Sequence, residues 1–379
     1  MILDNFNKDK CCGCGSCVQI CPVNALSLKK DKKGFYYPNV DSTKCTHCNL
    51  CEKACDFRKF NASGSFIKSY VVRHKDMNEV KTSQSGAAFK ILSDYVISKK
   101  GCVFGASLIN KLTINHLKCE TKEQVDKLKG SKYVQSDLKS TFKECKELLN
   151  NGSLVLYTGT PCQVHSLINY LKITNTNIDN LITAGIICHG VPSQQLWGDY
   201  IKYIEHKYHK EIMKVNFRDK SLGWHVHKES FVFNNNKKIM LDNWANAFYS
   251  HKIMRESCYH CPYTTTLREC DFTIADCWGI EKVFPELDDN NGLSLLMVHT
   301  EKANMLMNNL EFGIKKEINL ASVLQPQLQY PIKKSAGYDT FWNNYFEDKN
   351  KCLKNLFCPK NNTLTNKIKR FVKKILKRN

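Results

Sequence analysis

The sequence predicts two joined units: a small N-terminal α+β domain organised by cysteines, and a larger α/β domain built on a mixed sheet. Three observations predict this. Two cysteine runs of matched spacing lie within residues 11–55, and strand-like and helix-like apolar patterns alternate from residue 70 onward. The chain has 379 residues, 42% of them hydrophobic and 11% aromatic, enough for a sizeable core and too many for one small domain. The expected units are residues 1–62, 66–345 and a basic tail over 346–379, with Asn61-Ala62-Ser63-Gly64-Ser65 as the first linker.

The first unit follows from its cysteines. Cys11, Cys14, Cys17, Cys21 and Pro22 spell C-x2-C-x2-C-x3-C-P, and Cys45, Cys48, Cys51 and Cys55 repeat the spacing. This is the bacterial ferredoxin run for two [4Fe–4S] clusters, in which the fourth cysteine of each run ligates the other cluster. Cys11, Cys14, Cys17 and Cys55 are therefore assigned to one cluster, and Cys45, Cys48, Cys51 and Cys21 to its partner. Structural zinc needs four ligands, usually as two separated pairs, and disulfides need an oxidising compartment. Both fit these long, duplicated runs poorly. Asp56 stands where the second run would carry its proline, and Cys12 falls outside the spacing as a non-ligand.

The second unit reads as alternating elements. Tyr70–Arg73 is a predicted strand, and Ser85–Lys99 a helix with Phe89, Leu92, Tyr95 and Val96 on one face. Cys102–Gly105 and Leu154–Tyr157 are buried-strand runs. Thr160 and Pro161 suit the cap and first turn of a helix. Leu181–Cys188 is a strand, followed by Gly190-Val191-Pro192-Ser193 and a helix through Tyr208. Residues 212–241 form a β-meander turning at Asn234-Asn235-Asn236, and Asp271–Trp278 and Leu293–His299 are further strands.

Residues 1–10 contain no apolar h-region, and no run approaches bilayer length, so the cytoplasm is the expected place. A reducing compartment also keeps 20 cysteines available as ligands. The formal net charge of +20 raises nucleic acid or an anionic membrane as partners. The lysines are scattered and no nucleic-acid module is present, so nucleic acid is not expected.

Cys162, Cys188 and the pair Cys258 and Cys261 lie at strand ends or in turns. Alone, each reads equally as a small buried apolar residue. They sit, however, in an ordered set of strings: Gly159-Thr160-Pro161-Cys162-Gln163, Cys188-His189-Gly190-Val191-Pro192-Ser193, Phe217-Arg218-Asp219-Lys220 with Gly223-Trp224, Cys258-x-x-Cys261-Pro262-Tyr263, and Ala275-Asp276-x-Trp278-Gly279. Over residues 65–310 this set resembles the family of the beta subunits of coenzyme F420 hydrogenases and dehydrogenases, F420 being a deazaflavin hydride carrier. The resemblance implies a third [4Fe–4S] cluster on Cys162, Cys188, Cys258 and Cys261 beside FAD; Cys270 and Cys277, close in sequence, are read as packing residues or as residues around that cluster. It also implies flavin contacts from Ser83-Gln84-Ser85-Gly86-Ala87-Ala88, centred on Ser85 and Gly86, and from Gly130-Ser131-Lys132-Tyr133, through Lys132 and Tyr133. Amides of the first loop would meet phosphate at a helix N-terminus. Ala87 replaces the family's second glycine there, and its Cβ opposes positive φ.

The implied activity is an iron–sulfur flavoprotein oxidoreductase. It would relay electrons between ferredoxin, NAD(P)H or reduced F420 and a substrate, in a setting that for some relatives is a surface-polysaccharide pathway. The alternative is an electron-transfer subunit serving a separate catalytic partner.

His225 and His227, flanking Val226 on a predicted strand, share a face and either donate protons or form a solvated surface. Trp224, Trp244 and Trp278 line a cofactor pocket or pack the core, and Arg218 and Lys220 grip an anion or sit on a surface turn. Leu364, Ile368, Phe371, Val372, Ile375 and Leu376 recur at helical spacing among Lys and Arg. This tail suits either an anionic membrane interface at the inner face or docking on its own domain.

Overall fold

The computed structural model describes residues 6–58, 60 and 64–357. Strands β1 (Leu26–Lys30) and β2 (Tyr36–Val40) pair antiparallel between the two cysteine runs. Each run turns through left-handed residues into a one-turn helix. Gly13 (φ +70°) and Gly15 (φ +72°) precede Ser16–Gln19, while His47 (φ +55°) and Asn49 (φ +59°) precede Leu50–Lys53. The repeat in cysteine spacing is thus a repeat of backbone conformation.

The remaining strands are β3 (Lys68–Arg73), β4 (Cys102–Leu108), β5 (Ile114–Cys119), β6 (Val155–Gly159), β7 (Leu181–Ile186), β8 (Ile212–Asn216), β9 (Glu229–Phe233), β10 (Lys238–Leu241), β11 (Phe272–Asp276), β12 (Ser294–Val298) and β13 (Ile314–Glu317). Strands β8 to β10 form the predicted antiparallel meander. The others make one mixed sheet in the order β13-β3-β12-β11-β7-β6-β4-β5. Its centre, β4-β6-β7-β11, is parallel, and the flanks are antiparallel. Helices cover the parallel strands, which therefore read as unbroken apolar runs. Ligands in such sheets bind beyond the carboxyl ends of the parallel strands. Here β6 leads to Thr160-Pro161-Cys162, β7 to Cys188-His189-Gly190, and β11 to Trp278.

The cysteine-bearing unit is packed into the larger one. Phe35 and Tyr37 join a core with Trp197, Tyr338 and Trp342, while Ile20 and Ala54 join Leu167, Tyr170 and Leu171. Gln19 Oε1 accepts from Phe142 N at 3.0 Å, and Asn169 Nδ2 donates to Lys53 O at 3.1 Å.

Three expectations change. The helix predicted from Ser85 begins at Ala88, because Ser85 (φ +44°) and Ala87 (φ +65°) are left-handed. Such a turn costs an L-residue roughly 1–2 kcal/mol, and Ala87 adopts it despite its Cβ. His225 and His227 lie in the loop before β9 rather than on a strand. The fold also continues past residue 345. Helix Tyr338–Glu347 leads into Lys349–Phe357, whose Phe357 ring sits 4.1 Å from that of Tyr200. The tail residues from Leu364 onward and linker residues 61–63 lie outside the described residues. Among the described residues no helix is long and apolar enough to cross a membrane.

Candidate metal centre and cofactor pocket

The structure gathers the cysteines into three sets. Cys21, Cys45, Cys48 and Cys51 ring one shallow cavity floored by Leu26 and Val40. Cys11, Cys14, Cys17 and Cys55 lie together at the junction of the two units, where burial, with the neighbouring thiols adding, holds the Cys17 thiol well above its ordinary pKa. Burial likewise pushes Cys55 up to about 12. Cys162, Cys188, Cys258 and Cys261 line a third cavity, and burial raises the Cys258 thiol to about 12. Buried thiols of this kind become thiolates only with compensating positive charge, which a metal centre supplies. Among the described residues no three potential ligands converge tightly enough to hold a single metal ion. The sets of Cys48 and of Cys162 surround spaces, the arrangement a cubane needs when each thiolate reaches a different iron.

Local structure explains the third set. Thr160 and Gln163 form a capping box at the start of helix Pro161–Ile173, with Thr160 N donating to Gln163 Oε1 at 3.0 Å. This fixes Cys162 in the first turn. Cys258 and Cys261 flank the end of the 3-10 turn Glu256–His260. Cys12 is no bystander. It packs with Cys14 on one side and Cys162 on the other, together with Phe57 and Tyr263. Cys270 and Cys277 are buried. Asp56, in place of the proline, accepts a hydrogen bond from Tyr263 Oη at 2.5 Å.

Beside the third cavity lies a pocket of about 530 Å³, within the range of small-molecule sites. Thr160, Gln163, Cys188, Gly190 and Val191 wall both spaces. The pocket opens into a second cavity of about 830 Å³ lined by Lys81, Lys127, Lys129 and Lys220, with Lys132 shared between the two. An apolar chamber with an aromatic wall joined to a lysine-lined one fits a flavin ring and its phosphates.

Ser85, Lys132 and Tyr133 line the pocket, as does Ala87. Gly86 does not. Its amide donates to Ser294 Oγ at 3.0 Å, and a Cβ there would lie 2.3 Å from Val72 O. The loop amides expected to meet phosphate are therefore partly spent on β12, and Gly86 is needed for close packing. The Lys132 ammonium donates to Leu128 O and Lys129 O at 2.8 Å each, while burial lowers its pKa to about 7.

Trp278 lines the pocket and stacks on Trp224 at 4.7 Å and 5°, whereas Trp244 belongs to the core. Arg218 lies 5.0 Å from the Trp278 ring and pairs with Asp276 at 2.8 Å. Lys220 donates to Val80 O and Ser85 O, which ties the Ser85 loop down, and burial lowers its pKa to about 8. The two histidines part company: His225 pairs with Asp288 at 2.9 Å, while His227 enters the pocket against Tyr249. Burial lowers His116, His189 and His227 to about 4, so these imidazoles are neutral near pH 7.

Sequence reasoning missed Arg255, Gln135, Tyr249 and Ser294. Only Arg255 had a local signal, three residues before Cys258; the others acquire meaning through distant partners.

Residues 152–321 match the family model for the C terminus of the coenzyme F420 hydrogenase/dehydrogenase beta subunit, and residues 10–58 match a 4Fe-4S dicluster domain. The F subunit of the F420H2 dehydrogenase of Methanosarcina mazei is 22% identical over 293 residues, covering 72% of this chain and 75% of that protein. An uncharacterized ferredoxin of Methanocaldococcus jannaschii is 33% identical over 75 residues, 20% of this chain and 90% of that protein. A chain from the xenon-derivatised F420-reducing [NiFe] hydrogenase complex of Methanosarcina barkeri gives a TM-score of 0.48 at 15% identity, over 76% of this chain and 96% of that one. This chain thus joins a 4Fe-4S dicluster domain, over residues 10–58, to the C-terminal domain of the coenzyme F420 hydrogenase/dehydrogenase beta subunit family, over residues 152–321, the parts of an iron–sulfur electron-transfer subunit of that type.

Proposed function

We propose that the chain is an iron–sulfur flavoprotein oxidoreductase with three [4Fe–4S] clusters and FAD, exchanging electrons between a redox partner and a substrate or second carrier of the deazaflavin or nicotinamide class. One observation carries this proposal: the cavity of Cys162, Cys188, Cys258 and Cys261 and the 530 Å³ pocket share Thr160, Gln163, Cys188, Gly190 and Val191 as a common wall. When bound, FAD exchanges electrons in pairs with a hydride carrier and singly with a cluster.

The chain's own residues divide the remaining work. Trp278, Tyr133 and Phe248 give the ring an apolar wall that excludes water. Lys132, with Lys129 and Lys220 beyond it, holds the phosphates. Ser85 sits in the same wall, while Gly86 shapes the loop from behind. His227 stays neutral and shares a hydrogen bond through its Nδ1 with Tyr249 Oη at 3.3 Å. A peripheral seat on an anionic membrane, through the tail from Leu364, completes the proposal; liposome flotation of the full chain against a truncation after Asn362 tests it.

The reading as an electron-transfer subunit draws support from the solvent-exposed Cys48 set, accessible to a docking partner, and from a relative named as one subunit of a dehydrogenase. Anaerobic purification with iron and sulfide assays, EPR and a flavin spectrum tests the main proposal. The expected result is about twelve iron atoms per chain and a flavin band that bleaches with ferredoxin, NAD(P)H or reduced F420. Clusters without flavin would leave the electron-transfer reading, and zinc in place of iron would end both.

A further inference from the structure

Arg255 is fully buried, yet its hydrogen-bond partners Cys11, Gln135 and Tyr36 are formally neutral. Nε donates to Cys11 O at 2.7 Å, Nη1 to Gln135 Oε1 at 3.1 Å, and Nη2 to Tyr36 O at 2.7 Å. Nη2 also faces Cys11 Sγ at 3.7 Å, and the Tyr37 ring lies 4.3 Å from the guanidinium carbon. Among the described residues no carboxylate pairs with it. Arg73 and Arg218, also buried, pair with Asp289 and Asp276. Among the described residues Arg268 also has no carboxylate partner, but it bonds Thr265, Ile186, Tyr263 and Thr273 and, unlike Arg255, does not line the third cavity.

A buried guanidinium without a counter-charge is strongly disfavoured. Its position names the missing charge. Arg255 touches Cys11 and lines the cavity of Cys162, Cys188, Cys258 and Cys261, and its own carbonyl accepts from Cys258 N at 3.0 Å. The space for it is kept by Gly13, where a Cβ would lie 2.8 Å from Nη1.

We propose that Arg255 is the shared counter-ion of two iron–sulfur centres, the inner one of Cys11, Cys14, Cys17 and Cys55 and the one of Cys162, Cys188, Cys258 and Cys261. This rests on the three-cluster reading above. Each electron added to either centre adds one negative charge, and the fixed cation favours that addition without moving a proton. Arg255 therefore raises both reduction potentials together, while the outer set of Cys21, Cys45, Cys48 and Cys51, with no bond to it, serves as an internal control.

Anaerobic redox titration of the full chain, followed by EPR and with iron counted, tests this. Arg255→Gln is expected to lower two midpoints, each by about tenfold in the reduction equilibrium or about 59 mV for one electron. The third midpoint and the iron content should hold, and Arg255→Lys should recover most of the shift. Gln135→Glu sets a carboxylate against Nη1 and should lower the same two midpoints; it decides the matter if Arg255→Gln loses iron. Full iron with unmoved midpoints, or equal shifts in all three centres, would overturn the proposal. A wild-type chain without cubane signals would instead overturn the three-cluster reading, before any variant is made.

Discussion

The two cysteine runs share spacing and backbone but meet opposite surroundings. Thr46, His47, Cys48 and Asn49 of the second run are exposed, whereas Cys12, Ser16 and Cys17 of the first are buried, Cys12 against Cys162 and Tyr263 of the larger unit. The same local motif thus gives one centre at the surface and one at a junction. Duplication supplies two equivalent sites, and docking makes them different: on the three-cluster reading the outer set suits exchange with a partner, and the inner set transfer toward the centre of Cys162.

The sharpest way to break this comparison is to remove one sulfur from each run. Cys14→Ser strikes a residue packed with Cys12 and Cys162. It should lower soluble yield and cost about eight iron atoms, from the inner and third centres together, whereas Cys48→Ser should cost about four and leave thermal unfolding nearly unchanged. Equal losses in iron assays would erase the distinction. A smaller effect is expected at the pocket, where Trp278→Ala should weaken FAD retention about tenfold with iron intact, measured by flavin release on dilution.

Lys132 gives a pH-dependent test. Burial has lowered its pKa to about 7, and a bound phosphate favours the charged form, so binding above pH 7 takes up a proton. FAD affinity should therefore fall as pH rises beyond 7, approaching about tenfold per pH unit. Lys132→Met should bind more weakly and lose that slope in titrations from pH 6 to 9. The smallest effect belongs to the seam between the units. Tyr263→Phe removes the hydrogen bond to Asp56 and should cost about 1 kcal/mol in denaturant unfolding without loss of iron.

What was legible in the sequence follows from where each signal resides. The eight cysteines of the runs were grouped from spacing alone, because a loop around a cubane corner is a local structure. The central strands were legible for the same reason: each carries its own apolar run. Cys162 and Cys188 follow two different strands and Cys258 and Cys261 sit on a distant 3-10 turn, and only the family resemblance linked them before the fold did. The helix start was misplaced because Ser294, far along the chain, caps it. Arg255 was invisible in kind, since its meaning lies in Cys11, 244 residues away.

The burial of the first run also sets a schedule for making the protein. On the three-cluster reading, iron and sulfide must reach Cys11, Cys14, Cys17 and Cys55 before the segment carrying Cys162 to Cys261 closes over them, whereas the surface set can be filled, or repaired after oxidative damage, in the finished molecule. Maturation is then ordered along the chain. Oxygen exposure should strip the outer centre first and the more buried one later, leaving a folded protein that has lost its door but kept its interior wiring.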